Sequence, residues 1–438
     1  MKQRITVARL SNYLVALVLA LVPFHGFLTV FGSSLVGHYT ALRLWDDVLL
    51  LVLLGVSCWW LARDKPLRDW FFGSLLVRLI VAYTVLSLLL GAVALAKGDV
   101  TVKALGYGLL LNLRFLAWFL AVLLTAQKSD WLKRAWLKLL LIPAALVVVF
   151  AVLQYTVLPH TFLSHFGYNA DTNIAPIETI NHNRHYIRVQ STLRGANPLG
   201  AYLVVVLSVL GAMVGRKQRR VLITILCIVS IIALFASGSR SAWIGAVLAA
   251  GVVGLFRMPA GILRRNILFG TGALIIVLAA LGMVFRHNTA LQNALFHTAD
   301  NSTVATSSNE AHTSAVRGGL KDIVHQPLGD GPGTAGPASV YNGNHPARIA
   351  ENYYVQIAQE TGWIGLVLFV CILVLVAMEL FAQIRVSRLS LVLLASFIGI
   401  AFVNMLSHAW ADDTLAYLWW GLAGIALAQP VKSRETDA

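Results

Sequence analysis

A stretch of about twenty apolar residues is long enough for one helix to cross the hydrocarbon core of a bilayer, and this chain is built largely of such stretches. They fall near 11–32, 44–62, 72–96, 104–126, 137–158, 196–215, 221–237, 241–257, 267–285, 361–383, 388–407 and 413–430. Composition agrees: 58% of the 438 residues are hydrophobic and 12% are charged, against about a quarter charged in a soluble domain. The expected fold is all-α, a single integral membrane domain over 1–438 with about 12 transmembrane helices.

The loops between these stretches alternate between basic and nearly neutral. Arg63, Lys65 and Arg68; Lys128, Lys133, Arg134 and Lys138; Arg216, Lys217, Arg219 and Arg220; Arg257, Arg264 and Arg265; and Arg385 and Arg388 occupy every second connection. The positive-inside rule places these loops in the cytoplasm, together with Lys2, Arg4, Arg9, Lys432 and Arg434, so both termini are expected there. The net charge of +15 is therefore topological and faces anionic membrane lipids, not nucleic acid. The basic N-terminus resembles the start of a signal peptide, but no small-residue cleavage site follows, and the stretch reads as a retained first span. Cys58, Cys227 and Cys371 lie far apart inside apolar stretches, which gives neither a disulfide framework nor a metal spacing.

Two outer segments, 159–195 and 286–360, are too long to be simple connectors, and they concentrate Asn, His, Thr, Ser, Gly and Pro. The second is a large extracytoplasmic loop between spans 9 and 10, expected to hold short helices. Arg188 and Arg240 fall in outer loops, against the charge bias, and a charge in such a position points to function. The guanidinium fork suits phosphate oxygens. Arg114, within the fourth span, is expected to pair with Asp46 or Asp47 near the outer end of the second. Gly331 and Gly333 fit either a phosphate nest or a plain turn, His408 and Asp412 an interfacial pair, and His25 beside Pro23 a kinked packing site. The Trp59-Trp60 and Trp419-Trp420 pairs fit interfacial belts or bundle packing.

Four blocks within 185–385 resemble the O-antigen ligase and O-antigen polymerase family. They are Arg188-Val-Gln-Ser-Thr-Leu-Arg-Gly-Ala-Asn197-Pro-Leu-Gly200, Ser237-Gly-Ser239-Arg240-Ser241-Ala-Trp, Arg317 with Gln326-Pro-Leu-Gly-Asp-Gly331-Pro-Gly333-Thr, and Glu351-Asn352-Tyr-Tyr-Val-Gln-Ile-Ala-Gln-Glu360-Thr-Gly362-Trp-Ile-Gly365. Their order and topological positions are those of the family.

The resemblance implies a glycosyltransferase of the bacterial inner (cytoplasmic) membrane with an extracytoplasmic active site. It would move a glycan from an undecaprenyl-pyrophosphate donor to the hydroxyl of a lipid or glycan acceptor, with no metal and no other cofactor. Arg188 and Arg240, assisted by Arg194 or Arg317, would hold the pyrophosphate, whose leaving oxygens gather charge as the sugar departs. Family ligases carry a histidine immediately before the loop-exit Asn. Here that position is Glu351, which can serve as general base, with His345 in Asn344-His345-Pro346 as the other candidate. Two alternatives stand beside the ligase: a polymerase that extends a lipid-linked repeat, and a transporter or flippase of polyprenyl-linked sugars. A transporter calls for ionisable residues near the bilayer midplane, whereas here they cluster outside.

Overall fold

The structure, a computed structural model, describes residues 6–169, 174–180, 183–214, 219–257, 308–343 and 345–428, with isolated positions between 261 and 280. In chain order the helices are α1 (Val7–Leu21), α2 (His25–Val36), α3 (Tyr39–Arg43), α4 (Trp45–Arg63), α5 (Lys65–Gly73), α6 (Leu75–Lys97), α7 (Val102–Lys128) and α8 (Trp131–Thr156). A two-stranded hairpin, β1 (Glu178–Ile180) and β2 (Asn183–Arg188), precedes α9 (Ala196–Met213), α10 (Arg220–Ala236) and α11 (Arg240–Arg257). Then come α12 (Ser308–His325), α13 (Tyr353–Gln383), α14 (Arg388–Asn404) and α15 (Asp413–Leu427).

Among the described residues, eight helical stretches are long and apolar enough to cross a membrane: Val7–Val36, which joins α1 to α2 through a 3-10 turn at Pro23, and α4, α6, α7, α8, α9, α11 and α13. Helices α10 and α14 are apolar but shorter. The expected ninth span, 267–285, and the first part of the large loop, 286–307, lie largely outside the described residues, as do Arg216, Lys217 and Arg264. This is an all-α polytopic membrane protein.

Helix α15 has 15 residues, too few to match the hydrocarbon thickness alone. It does not need to, because every residue of it is buried, packed against α7, α9, α14 and α1. Trp419 and Trp420 are fully buried there, and Trp419 Nε1 donates to Ser396 Oγ at 3.0 Å. Of the two readings of that pair, bundle packing is the observed one. By contrast α4, α6, α10 and α13 expose Leu51, Leu89, Val221 and Val367, as helices facing lipid do. Small residues let α11 and α14 cross closely, since a Cβ on Gly399 would lie 2.4 Å from Gly245 O.

Long-range hydrogen bonds tie one set of loops together. Phe27 N donates to Thr192 O (3.1 Å), Val189 N to Ala236 O (3.0 Å), Thr101 N to Asn342 Oδ1 (2.8 Å) and Asn352 Nδ2 to Met405 O (2.9 Å). These segments form a loop-rich end of the bundle. Lys128, Lys133, Arg134, Arg219, Arg220, Arg257, Arg385 and Arg388 sit at or near the other ends of the same helices.

The large loop is anchored by a break in α13. Gly362 has φ 65° and ψ −170° inside the helix, a conformation open to glycine, and there Trp363 N donates to Pro327 O at 3.0 Å. The buried carboxylate of Glu360 accepts from Gly333 N (2.7 Å) and from Asn112 Nδ2, while Gly331 N donates to Glu360 O at 2.8 Å. A Cβ on Gly333 would lie 2.3 Å from Ala104 O. The N–H groups of the Gly331-Pro-Gly333 turn are thus taken up by the protein's own carboxylate and backbone, and the turn acts as a structural clamp. Helix α13 begins at Tyr353, earlier than the expected 361, because Asn352 caps it: its Oδ1 accepts from Tyr354 N (3.0 Å) and Val355 N (3.1 Å).

Candidate functional site

A cleft of about 280 Å³ opens at the loop-rich end, lined by Asn197, Pro198, Ala201, Ile349, Glu351, Leu406, Ser407, His408, Ala409 and Asp412. Three parts of the chain build it. The first turn of α9 supplies Asn197, the segment entering α13 supplies Glu351, and the α14–α15 connection supplies His408 and Asp412.

Arg188 adjoins Asn197. It ends β2 opposite Glu178 of β1, and each of its nitrogens has a partner: Nε donates to Ser237 O (2.9 Å), one terminal nitrogen to Glu178 Oε1 (2.8 Å) and the other to Asn197 Oδ1 (2.5 Å). Glu178 Oε2 accepts from Ala196 N at 2.7 Å, so its carboxylate also caps the N-terminus of α9, where negative charge is favourable. Gly238 has φ 61° and allows the turn to press on Arg188; a Cβ there would lie 3.3 Å from Arg188 Cγ. That turn carries Arg240 into the first turn of α11, near enough for its charge to feel Arg188. Two like charges held together in half-buried positions favour an anion beside them.

The opposite wall carries acid and imidazole. Asp412 caps α15 through Leu415 N (3.2 Å). Burial first and the adjacent Asp413 second push its carboxyl up to about 6, against the pull of Arg194. His408 is pushed down to about 4 by burial and then by nearby His312, so it stays neutral at physiological pH. The pair shares the cleft wall, brought together by a loop and a short 3-10 turn at Ala409–Ala411.

Behind that wall lies a buried charge cluster. Arg114 pairs closely with Asp413, donates to Ala411 O (2.9 Å) and sits 4.0 Å from Asp47. Asp413 also lies 3.6 Å from Arg43 and 3.5 Å from His25, whose other nitrogen is 3.5 Å from Asp46. Tyr417 donates to Asp47 at 2.7 Å. The expected pairing of Arg114 with the start of α4 is present. His25, expected as a packing residue at a kink, is in addition a member of the ion cluster.

The structure brings Arg188, Arg240 and Glu351 to or beside the cleft. Arg194 follows β2 closely enough to influence Asp412. Arg317 is exposed on α12 and His345 is exposed in the segment before α13, and neither lines the cleft. Three residues that the sequence reading did not assign belong here: Glu178 on Arg188, Arg348, which donates to Asp322 (2.9 Å) and Asp330 (2.5 Å) and ties the loop to α12, and His312, 2.7 Å from Glu351. Among the described residues, no three His, Cys, Asp or Glu side chains converge as a metal site.

Fold and cleft together define a helical integral membrane protein with a polar cleft, lined by Glu351, His408 and Asp412 and bordered by Arg188, among the loops at one end. Residues 225–370 match the family described as O-antigen ligase. Over those residues, about a third of its length, the chain is similar to that family. The match spans the Arg240 turn, α12, the glycine clamp and Glu351, while Arg188, Asn197, His408 and Asp412 lie outside it. No curated protein matches the chain.

Proposed function

We propose that the protein transfers a glycan en bloc from undecaprenyl pyrophosphate to an acceptor hydroxyl at the extracytoplasmic face, as a ligase. The observation that supports this reading is the cleft lined by Glu351, His408 and Asp412, whose Asn197 accepts from Arg188 with Arg240 nearby, in a chain similar over 225–370 to O-antigen ligases. The orientation follows from charge: the loop-rich end is poor in Lys and Arg relative to the other end, which is cytoplasmic together with both termini.

In the transfer, the diphosphate leaves with the electron pair of its bond to the anomeric carbon. Arg240 and Arg188 stabilise the growing charge with preorganised N–H donors, and binding requires Arg188 to exchange a bond to Glu178 or Asn197 for one to phosphate. The acceptor oxygen attacks from the opposite face, which inverts the anomeric centre, and its proton passes to Glu351. Neutral His408 offers a hydrogen-bonding group to the acceptor without adding charge.

Turnover of a lipid-pyrophosphate donor tests the assignment. Glu351→Gln keeps the shape and loses the basicity, so turnover falls by about 10²–10⁴ while donor binding is kept. Glu351→His recovers part of it and His345→Ala costs little. Near wild-type turnover in Glu351→Gln overturns the role of Glu351, and a severe His345→Ala moves the base to His345.

A further inference from the structure

The contact between His312 and Glu351 is fixed by how α12 docks. His312, Gly319 and Ile323 stand seven and four residues apart, which places them on one face of the helix. Gly319 is where that face touches α13: a Cβ there would lie 2.5 Å from Val355 Cγ1 and 3.1 Å from Ala350 Cβ. Ile323 is buried with Ala350, Val355 and Ala358. The same stripe, two turns earlier, carries His312 to Glu351, where Nδ1 lies 2.7 Å from Oε2. An ionised carboxylate only accepts hydrogen bonds, so Nδ1 carries the proton.

Glu351 is also held through its backbone. Its φ of 50° is uncommon for a residue with a Cβ and persists where the surroundings over-determine it. Here buried Ala350 precedes it and the helix cap Asn352 follows it. Such a conformation aims one side chain at one place, and that side chain lines the cleft.

We propose that His312 is a positioning residue for glycan transfer, donating to one oxygen of Glu351 so that the other faces the acceptor hydroxyl. The proposal rests on the reading of Glu351 as the base. In the step, the acceptor O–H proton moves to Glu351, the acceptor oxygen bonds to the anomeric carbon, and the bond from that carbon to the diphosphate breaks with its electrons leaving on the diphosphate. His312 touches neither sugar nor phosphate. It holds the carboxylate in one rotamer, while buried His408 remains neutral next to it and does not compete for that carboxylate as a cation.

Steady-state kinetics on the full-length protein with a lipid-pyrophosphate donor decide the matter. His312→Ala lowers kcat by about ten- to a hundredfold, the range for losing a hydrogen bond to a charged group, and leaves donor KM within about twofold. His312→Asn, which returns an N–H donor close to the place of Nδ1, recovers most of the loss and carries the test should the alanine variant fold poorly. In a Glu351→Gln background, His312→Ala changes kcat by less than about twofold, because the two side chains act as one unit. Equal losses in both backgrounds, a raised donor KM with kcat intact, or an asparagine variant no better than alanine each overturn the proposal. Full turnover in Glu351→Gln alone overturns the base reading beneath it, and it is recognised without any His312 variant.

Discussion

Asp412 and Asp413 are neighbours in the chain and face opposite ways. Asp413 turns into the bundle, where Arg114, Arg43 and His25 surround it; Asp412 lines the cleft, with the Leu415 N–H as its hydrogen-bond donor. The inner cluster is a set of opposite charges that satisfy one another, and such a set holds helices in register. The cleft instead sets Glu351, His408 and Asp412 around an open volume, with Arg188 bonded to the lining residue Asn197 and Arg240 near Arg188. A buried charge with its counter-charge in reach serves as scaffold; ionisable groups around an open space are what the proposed site uses. The same contrast separates Arg114 from Arg240, both of which stand out in the sequence as arginines in costly positions.

The largest effect that this contrast implies is on the inner cluster. Arg114→Ala takes from buried Asp413 its closest counter-charge and leaves Arg43 and His25 at 3.6 and 3.5 Å, and breaking a buried pair by removing one partner costs about 3–5 kcal/mol. Thermal unfolding in detergent should show a lower midpoint and a low yield of folded protein. An Arg114→Ala variant as stable as wild type would erase the distinction between the two regions.

A smaller and purely functional effect is expected across the cleft wall. Arg240→Ala should lose nearly all turnover with the unfolding midpoint almost unchanged. Arg240→Lys should lose much of it, since the ammonium keeps the charge and not the fork, and activity should survive EDTA. If Mg²⁺ or Mn²⁺ strongly restores EDTA-treated protein, a metal carries the leaving-group charge and Arg240 becomes a membrane anchor.

The smallest effect concerns pH. Burial holds His408 down to about 4 in the folded protein, below the ordinary 6.5 of an imidazole. Between those values the unfolded chain binds a proton that the folded chain does not, so stability falls as pH drops from about 6.5 toward 4. His408→Asn should flatten that part of the stability profile and leave it unchanged above pH 7. An unaltered slope would show that His408 does not titrate in this window.

Much of this was legible before the structure. Span length and charge alternation gave the helical membrane fold, and the cost of intramembrane charge gave the pairing of Arg114 with the start of α4, because those two features depend only on local composition. The motif blocks named Arg188, Arg240 and Glu351 as candidates by resemblance, and the structure brings all three to the loop-rich end. What stayed hidden requires knowing which helices touch. Sequence alone assigns Asp413 no role, and nothing local shows that α15 lies against α7. His312 sits in a polar stretch where the docking face becomes visible only once Gly319 is seen against Val355. Glu178 belongs to a hairpin whose polar strands resemble a loop in sequence.

The order in which the cluster's members are synthesised has a consequence of its own. Arg114 precedes its partner Ala411 by 297 residues, so α7 leaves the ribosome long before α15 exists to receive it. Asp46 and Asp47, in contrast, lie in α4 and are made earlier than Arg114. Of the two carboxylates beside Arg114 in the finished protein, Asp47 at 4.0 Å is made before it and the closer Asp413 after it. Helix α15, too short to insert on its apolar length alone, gains in Arg114 a reason to seat at one depth: its first residue is drawn to a charge that the earlier helices have carried in.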